Sequence, residues 1–475
     1  MSLKVYNVLT RKKEVFIPQE ENKVKMYACG ITVSDNAHIG HAYQAIVFDV
    51  IRKYLRYKGY DVTYVRNYTD VDDKIILNAR KTKINPIEYA EHFIKKTDKE
   101  LDELNVERPS IQVRATENIN DMIEFIQKLI DKGYAYVAFD GSVYFRVSAF
   151  KDYGKFSNRL IDESLVGVRK EIEPGKEDSH DFALWKSAGD DEIFWETPWG
   201  KGRPGWHIEC STMSRKFLGD TLDIHGGGRD LVFPHHENEI AQSEALTGKK
   251  FSNYWIHNGL VKVNSQKMSK SLGNGILLED LINKYNSDVI KITLLQNHYR
   301  SDINVIDGIF DQYENKIYAI YKLFKLINNL NLDLVPNKDS IEYKNIKEEF
   351  ENAMDNDFNT SVAISNLFKY ITLINKAIKE KDITKAINIQ SAIIDIYSVL
   401  GLFQQDEDKV IKAIKEKHLK INNITEEIIN NLIKERETYK KNKDYESADK
   451  IRNELLIKNI IIKDISNNTE WDINI

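Results

Sequence analysis

Cysteine is scarce in this chain, with Cys29 and Cys210 as the only two among 475 residues. Two thiols cannot build the disulfide framework of a small secreted scaffold, so that class of protein is excluded. The count alone leaves a single disulfide, two unrelated buried thiols or a shared metal site open. A disulfide is disfavoured because cytosolic thiols stay reduced. The residues around each cysteine must therefore decide between two unrelated buried thiols and a shared metal site.

Long hydrophobic runs are also missing, and no stretch approaches the roughly 20 apolar residues needed to cross a bilayer. Residues 1–16 alternate like a strand and carry Arg11, Lys12 and Lys13. They lack the apolar core and the small-residue cleavage site of a secretory signal. We therefore expect a cytoplasmic protein that has no membrane partner.

An excess of positive charge is absent as well, because the formal net charge is -5. The overall field would not attract a nucleic acid, so such a partner would need a local basic surface. Hydrophobic residues make up 42% of the chain, which is enough to bury real cores. A chain of this length suits about three domains.

The first part of the chain alternates between strand and helix patterns. Residues 24–29 are predicted to form a strand, residues 41–58 a helix, and residues 62–66 the next strand. Strand, helix and strand at this length make a βαβ unit, so we predict an α/β fold with a parallel sheet. Two amphipathic helices are predicted over residues 86–105 and 116–132.

The pattern then changes twice. Short β-like pieces and polar turns fill residues 132–205, which predicts an insertion that interrupts the α/β domain. Helical periodicity dominates from about residue 310 to residue 400, and a β-like stretch follows at residues 459–465. The predicted segments are 1–131 and 206–260 (two halves of the catalytic domain), 132–205 (insertion), 261–309 (signature-loop region), 310–405 (helical bundle) and 406–475 (small C-terminal domain).

The first motif that carries chemistry is His38-Ile39-Gly40-His41, which follows a strand and opens a helix. A helix N-terminus presents free N–H groups and positive dipole character, so it suits phosphate. Gly40 lets the backbone approach a ligand, and two imidazoles add hydrogen-bond donors. The alternative reading is a helix start with incidental histidines.

The second motif is Lys267-Met268-Ser269-Lys270-Ser271. Two lysines among small hydroxyl residues make a cationic loop that can close on a triphosphate and stabilise charge as pyrophosphate leaves. Alone, such a run is more often a solvated basic loop. In this order on an α/β scaffold, the two motifs resemble the signature pair of class I aminoacyl-tRNA synthetases.

Candidate metal ligands lie near both cysteines. His235 and Glu239 are spaced i and i+4 after Pro234, which puts them on one helix face. Cys29 is predicted to end a strand, and Cys210 to lie at the start of a helix over residues 211–217, where the dipole lowers a thiol pKa. Two thiolates, one imidazole and one carboxylate would complete a four-ligand zinc site if the fold brings them together. Otherwise the His235 and Glu239 pair simply faces solvent.

Longer matches extend the resemblance to the cysteinyl-tRNA synthetase family and cover nearly the whole chain. They are residues 64–76 (YVRNYTDVDDKII), 181–186 (DFALWK), 202–210 (GRPGWHIEC), 225–239 (HGGGRDLVFPHHENE) and 267–274 (KMSKSLGN), with weaker echoes at 444–455 and 462–471. The resemblance implies a Rossmann-like parallel sheet with an inserted connective domain, a helical bundle and a small anticodon-binding domain. It also implies activation of L-cysteine by ATP and its transfer to tRNA(Cys).

The resemblance assigns roles to individual residues. The ligands of one zinc ion per chain fall on Cys29, Cys210, His235 and Glu239. His38, His41, Lys267 and Lys270 become catalytic, and ATP, with Mg²⁺, is expected at His38, Gly40, His41, Gly226, Gly227, Asp230 and Lys270. Thr69 and Trp206 are expected in the amino-acid pocket, and the alternative for Trp206 is core packing. Anticodon contacts are expected at Lys440, Asp449, Asp464 and Trp471, in a chain that acts as a monomer.

Zinc accounts for the choice of amino acid. Serine is a near-isostere of cysteine, and shape alone rejects such an analogue by only about 1–3 kcal/mol. A thiolate is a much better zinc ligand than an alcohol, so direct coordination could select cysteine without an editing site.

Three positions depart from the family pattern: Tyr43 replaces a basic residue, Gly275-Ile276 replaces an aromatic, and Lys440 stands where the family has arginine.

Three other functions remain as alternatives to amino-acid activation and transfer. A cysteine–amino sugar ligase of the same fold should lack the anticodon-binding end. A small-molecule nucleotidyltransferase would not need the lysine loop. A tRNA-binding protein that has lost catalysis would not keep both signatures.

Overall fold

The computed structural model describes residues 2–158, 175–189, 192–267, 275–330, 334–465 and 468–475. The helices are α1 (Ile39–Tyr57), α2 (Asp73–Thr82), α3 (Pro86–Glu103), α4 (Ile119–Asp131), α5 (Trp206–Leu218), α6 (Glu237–Thr247), α7 (Leu278–Lys284), α8 (Ser287–Leu295), α9 (Ile309–Leu330), α10 (Ile341–Met354), α11 (Thr360–Lys379), α12 (Ile383–Tyr397), α13 (Glu407–Ile421), α14 (Glu426–Lys441) and α15 (Tyr445–Ile457).

The strands are β1 (Lys4–Asn7), β2 (Lys12–Val15), β3 (Lys23–Thr32), β4 (Asp61–Thr69), β5 (Ile111–Arg114), β6 (Ala135–Val137), β7 (Val143–Phe145), β8 (Phe182–Ser187), β9 (Trp195–Thr197), β10 (Gly200–Pro204), β11 (Leu222–Gly228), β12 (Ser252–Asn258), β13 (Val261–Val263), β14 (Gln266–Lys267), β15 (Ile303–Val305), β16 (Ile460–Ile465) and β17 (Asn468–Ile473).

The central sheet has five parallel strands in the order β12-β11-β3-β4-β5. The chain runs outward from β3 through β4 to β5, and then returns to the other side of β3 with β11. The strand order therefore reverses between β3 and β11. In open α/β sheets a crevice forms at such a switch point, outside the carboxyl ends of the strands.

The predicted α/β class is confirmed, and the first elements lie close to their predicted places. Helix α1 is buried on more than one face, with Ile46, Phe48 and Ile51 all in the core, because it packs both on the sheet and against α8. Helix α2 was not predicted. It is short, and its start is capped by Asp72, whose side chain accepts a hydrogen bond from the Lys74 amide.

Two local predictions are wrong. Cys29 does not end its strand, because β3 continues to Thr32 across an irregularity in register between Ala28 and Ile31. Cys210 does not open its helix either. Helix α5 begins at Trp206 with Gly205 as its cap, so Cys210 lies beyond the first turn and the helix-start argument for its pKa fails.

The segment between α4 and α5 forms an antiparallel sheet in the order β6-β7-β8-β10-β9. Beyond β15, helices α9 to α13 pack together, and α14, α15 and the β16–β17 hairpin follow. The Tyr54 hydroxyl of α1 donates a 2.7 Å hydrogen bond to Asp355, which fastens the helical part to the sheet domain. Among the described residues, no helix combines the length and the apolarity that a membrane crossing requires.

Candidate metal centre and nucleotide cleft

The β-bulge in β3 sets the geometry of the switch point. A Cβ atom on Gly30 would lie 1.6 Å from the carbonyl oxygen of Asn67, so only glycine allows β3 and β4 to approach this closely. The Asn67 side chain accepts a 2.8 Å hydrogen bond from the Gly30 amide. A β-bulge changes the direction of the side chains next to it. Beside this bulge, the side chain of Cys29 points into the buried space between β3, β11 and α6.

Four buried donor atoms come together beside this bulge. The donors come from Cys29, Cys210, His235 and Glu239, and they all lie within 4.8 Å of one another. The Cys29 Sγ atom is 3.5 Å from His235 Nε2 and 3.3 Å from Glu239 Oε1. His235 Nε2 and Glu239 Oε1 are 2.9 Å apart. The structure therefore brings together all four residues that the sequence singled out.

The electrostatics of the cluster favour a bound cation. Burial raises the pKa of the Cys29 thiol, and the neighbouring Cys210 raises it further. Burial also acts to raise the pKa of Cys210, but hydrogen bonds from Cys29 and His235 outweigh it and lower that pKa to about 6. The pKa of Glu239 is lowered despite burial, because His225 and His235 stabilise its carboxylate.

A second group of four donors overlaps the first and consists of Cys29, His225, His236 and Glu239. His225 Nε2 lies 2.8 Å from Glu239 Oε2, whereas it is 4.0 Å from Cys29 Sγ. His225 is thus better placed to hold the carboxylate than to bind a metal ion. We favour the first group because it contains both thiols. From the sequence, His225 and His236 are expected to support the ligands or to be structural, and the contact of His225 with Glu239 is compatible with a supporting position.

The open space of the switch point is a cleft of about 600 Å³. It is lined by Gly30, Ile31, Thr32, Ser34, Asp35, Asn36, His38, His41, Gln44, Lys74, Leu77, Asn78, Trp206, Asp230 and Leu231. Gly30 adjoins Cys29, and the Trp206 ring lies 4.3 Å from the His235 ring. The metal centre therefore borders the cleft.

His38 and His41 stack at the edge of the cleft, with ring centroids 3.6 Å apart. His38 Nδ1 accepts the Gly40 amide at 3.1 Å, and His41 Nδ1 accepts the His38 amide at 3.3 Å. Because both Nδ1 atoms act as acceptors, the neutral rings carry their protons on Nε2. Burial lowers the pKa of His41, and His38 adds to the effect, so its ring is neutral and offers an Nε2–H donor.

The histidine segment is joined by backbone hydrogen bonds to the residues that follow the lysine segment. The Ile39 amide donates a 3.0 Å hydrogen bond to the Ile276 carbonyl, and the Leu278 amide donates one of the same length to the Ala37 carbonyl. The backbone of Lys267 belongs to β14, which pairs with β13. Lys270 lies outside the described residues. Lys74, on the unpredicted helix α2, is a cleft residue that the sequence analysis missed.

The expected amino-acid pocket residues take different positions. Trp206 is 37% exposed and lines the cleft, so core packing is not its role. Thr69 is buried, and its hydroxyl donates a 2.8 Å hydrogen bond to Glu209. Thr69 therefore lies behind the cleft wall, and Glu209 is a neighbour that the sequence analysis did not identify.

The glycines of β11 are buried, and only Asp230 of the expected ribose-binding stretch lines the cleft. A Cβ atom on Gly226 would lie 2.2 Å from the Ile256 carbonyl oxygen, and one on Gly227 would lie 2.8 Å from Leu231. Both glycines are needed for close packing. Tyr43 is also buried and donates its hydroxyl to the Tyr299 carbonyl at 3.0 Å, so it does not replace a cleft cation.

Two of the expected anticodon residues, Lys440 and Asp464, contact each other at the C-terminal hairpin. Asp464 accepts hydrogen bonds from Lys440 at 2.9 Å and from both terminal nitrogens of Arg436 at 2.8 and 3.1 Å. Arg436 was missed because its partner lies 28 residues away. Trp471 pairs with Ile462 across the hairpin and stacks under the Lys415 ammonium, and Asp449 lies on α15.

Residues 15–315 match the family model for the class I (C) tRNA synthetase catalytic domain, and residues 349–404 match the DALR domain. The chain is 49% identical to a cysteine–tRNA ligase of Thermodesulfovibrio yellowstonii, with 100% of each chain covered. It is 46% identical to a cysteine–tRNA ligase of Anoxybacillus flavithermus, with 99% of each covered.

Among solved structures, methionyl-tRNA synthetase of Mycobacterium tuberculosis in complex with methionyl-adenylate matches with a TM-score of 0.60. The match covers 83% of this chain and 94% of that chain at 14% identity, which shows a shared fold. The sequence relatives are far closer and span the full length. The chain belongs to the cysteine–tRNA ligase family of class I aminoacyl-tRNA synthetases.

Proposed function

We propose that this chain activates L-cysteine with ATP to form cysteinyl-adenylate and transfers the cysteinyl group to the 3′-terminal adenosine of tRNA(Cys). The observation that carries the proposal is the buried cluster of two thiols, one imidazole and one carboxylate next to a cleft whose edge holds His38 and His41. Full-length similarity to cysteine–tRNA ligases supports the same substrates.

The donor set suits zinc. With zinc–sulfur bonds of about 2.3 Å and zinc–nitrogen bonds of about 2.0–2.1 Å, a tetrahedron requires a sulfur–nitrogen edge of about 3.5 Å. The Cys29 Sγ to His235 Nε2 distance is 3.5 Å. Two sulfur donors favour zinc over magnesium or calcium, which prefer oxygen ligands. Cys29, Cys210, His235 and Glu239 would hold one ion per chain.

A zinc ion at this site would bind the thiolate of the substrate in preference to the hydroxyl of serine. The position of Trp206 supports this assignment, because its ring contacts His235 on one side and the cleft on the other. An amino acid in the cleft could therefore reach the metal centre past Trp206. The free energy of thiolate coordination supplies a discrimination that the pocket shape cannot give.

The activation step needs positioning and charge neutralisation rather than a strong base, because the carboxylate of cysteine is already ionised at neutral pH. The Nε2–H groups of His38 and His41 would donate hydrogen bonds to phosphate oxygens. Asp230 would bind the ribose, while Gly226 and Gly227 would support the cleft from behind by keeping β11 closely packed. Lys267 and Lys270, with Mg²⁺, would neutralise the departing pyrophosphate.

The second step is attack on the adenylate by a ribose hydroxyl at the end of the tRNA. Recognition of the anticodon is assigned to the C-terminal segment around Lys440, Asp449, Asp464 and Trp471. The ion pairs of Asp464 with Arg436 and Lys440 support this assignment, since they fix polar groups near the exposed hairpin. We further propose that the enzyme acts as a cytoplasmic monomer.

The test is cysteine-dependent ATP–pyrophosphate exchange with zinc content measured on the same sample, followed by charging of tRNA(Cys). We expect about one zinc per chain, exchange with cysteine and none with serine. Exchange that survives complete zinc removal would contradict the metal role. Exchange without tRNA charging, together with ligation of cysteine to an amino sugar, would favour the sugar ligase. Binding of tRNA without exchange would identify a non-catalytic protein.

A further inference from the structure

Residues 150–157, which follow β7 of the inserted sheet, cross the N-terminal end of α6 and are named here the clasp. Helix α6 and the turn before it carry His235 and Glu239. The carboxylate of Glu237, the first residue of α6, accepts two backbone hydrogen bonds from the clasp, from the Gly154 amide at 2.8 Å and the Ser157 amide at 2.7 Å. One side chain thus holds the second half of the clasp, from Gly154 to Ser157.

A further polar contact strengthens the attachment. The Tyr153 hydroxyl donates a 2.6 Å hydrogen bond to the side-chain oxygen of Asn238, the next residue of α6. Glu237 and Asn238 are 1% and 2% exposed, so neither side chain can turn to water without breaking the packing. Buried polar groups that lose their partners are costly, which makes these contacts mutually dependent.

The clasp also packs behind the histidines of the metal centre. Phe156 is buried, and its ring lies 4.7 Å from the Trp255 ring. Trp255 in turn lies 4.5 Å from the ring of His225, which holds the second oxygen of Glu239 at 2.8 Å. A continuous series of contacts therefore joins the clasp to a predicted metal ligand.

We propose that the clasp holds α6 in its metal-binding position, and that Glu237 is a positioning residue for retention of the metal ion. The inference rests on the proposed zinc site. Glu237 lies two residues before Glu239 and two after His235, so a shift at Glu237 displaces both ligands together. Groups that orient metal ligands typically change metal affinity by about 10–100-fold when they are removed.

Release of zinc to a chromophoric chelator, measured on the purified full chain, tests the proposal. Glu237→Gln keeps the shape of the side chain but faces one of the two clasp amides with an NH₂ group. We expect zinc release to accelerate by at least about tenfold. The matched control is Glu244→Gln at the other end of α6, where the carboxylate accepts the Phe251 amide at 3.0 Å. The control should release zinc within about twofold of the unchanged protein, since Glu244 lies about 1.4 helical turns beyond Glu239 and contacts the Phe251 amide instead of the clasp.

Tyr153→Phe is a milder variant that keeps the test informative if Glu237→Gln does not fold. It removes one hydrogen bond of the clasp and should accelerate release by about fivefold. Release at the unchanged rate in both clasp variants, or equal acceleration in Glu244→Gln, would overturn the positioning role while the zinc site stands. An unchanged protein that binds no zinc would overturn the zinc site and the clasp role together.

Discussion

The amide of Ile39 donates a 3.0 Å hydrogen bond to the carbonyl of Ile276, although 237 residues separate the two in sequence. This bond joins the histidine segment to the chain that follows the lysine segment. A neighbouring bond between Leu278 and Ala37 completes the connection. The two bonds fix the backbone of residues 276–278 relative to the start of α1, where His38 and His41 lie.

The first prediction concerns His41. His41→Ala removes an Nε2–H donor from the edge of the cleft, and loss of one preorganised donor typically lowers kcat by about 100-fold. We expect ATP–pyrophosphate exchange to fall by that factor. Tyr43→Phe, two residues along α1, is the control. It removes a hydroxyl that bonds the buried Tyr299 carbonyl, so exchange should stay within about threefold of the unchanged protein. An equal loss of exchange activity in both variants would indicate that the substitutions disturb α1, and not that a hydrogen-bond donor to the nucleotide is missing.

The second prediction concerns Cys210. If Cys210 is a zinc ligand, Cys210→Ser replaces a thiolate with a weakly binding alcohol, so the zinc content should fall and the KM for cysteine should rise at least about tenfold. Serine should remain inactive in the exchange assay, because the variant removes a ligand and builds no site for a hydroxyl. Met213→Leu, a volume-conserving change on the same helix, should keep both zinc and activity. Zinc at full occupancy in Cys210→Ser would exclude Cys210 from the ligands.

The sequence predicted the α/β class and the four donor residues for different reasons. The class followed from local periodicity, since the alternation around residues 24–66 depends on which side chains each element buries. The donors were chosen by family resemblance, because 11 histidines and many carboxylates cannot be sorted by composition. The geometry then placed the four donor atoms within 4.8 Å of one another.

The remaining errors share one physical origin. Cys29 was placed at a strand end because the bulge at Gly30 depends on Asn67, a residue on another strand. The start of α5 was placed too late because Gly205 and Trp206 are poor local indicators of a helix, and because the cap residue Gly205 is held by a hydrogen bond to the Leu184 carbonyl, 21 residues away. Arg436 was overlooked because its charge is meaningful only next to Asp464. Contacts between distant residues decided each of these features, and sequence patterns do not report such contacts.

The third prediction concerns the stability of the contact between α3 and α7. Glu100 is 6% exposed, and neither oxygen of its carboxylate has a hydrogen-bond partner. Burial raises the pKa of Glu100 from 4.5 to about 7; Lys96 opposes the shift, and Glu279 and Glu103 add to it. The folded state therefore holds a proton that the unfolded state loses near pH 4.5. The stability contributed by this group consequently falls as pH rises from 4.5 to about 7.

Glu100→Gln should remove that pH dependence. Relative to the unchanged protein, the free energy of unfolding should be similar near pH 4.5 and higher by about 1–2 kcal/mol at pH 8, after allowance for solvent screening. Denaturant unfolding across this pH range measures the difference. Glu88 is exposed at the start of the same helix, so the difference in unfolding free energy between Glu88→Gln and the unchanged protein should not increase with pH. If Glu100→Gln raised the free energy of unfolding by the same amount at every pH, the raised pKa would be contradicted.

The fourth prediction concerns the bulge beside Cys29. Gly30→Ala would place a Cβ atom 1.6 Å from the Asn67 carbonyl, and backbone must move to relieve the clash. We expect a loss of at least about 3 kcal/mol in stability and a loss of zinc from any folded protein, since Cys29 is the adjacent residue. Gly275→Ala is the control, because no atom of the described residues lies within 4 Å of its added Cβ. A Gly30→Ala protein of ordinary stability would show that β3 and β4 separate easily.

The last prediction concerns the C-terminal carboxylate. Asp464 accepts hydrogen bonds from Arg436, Lys440 and Thr469, and Arg436 is the main cause of its lowered pKa. Asp464→Asn should raise the KM for tRNA(Cys) by at least about fivefold, because a polar group that reads or orients a base is lost. Cysteine-dependent exchange should be unchanged, since that reaction needs no tRNA.

Asp472→Asn is the control that distinguishes tRNA recognition by Asp464 from attachment of the β16–β17 hairpin to the helical bundle. Asp472 lies on the neighbouring strand and accepts hydrogen bonds from Tyr318 and Lys322 of α9, so its loss loosens the contact with the helical bundle. If Asp464 contributes to recognition, its variant should weaken tRNA charging with little change in the melting temperature. If both variants raise the KM for tRNA and lower the melting temperature together, the role of Asp464 is to hold the hairpin in place, and the anticodon assignment fails at this residue.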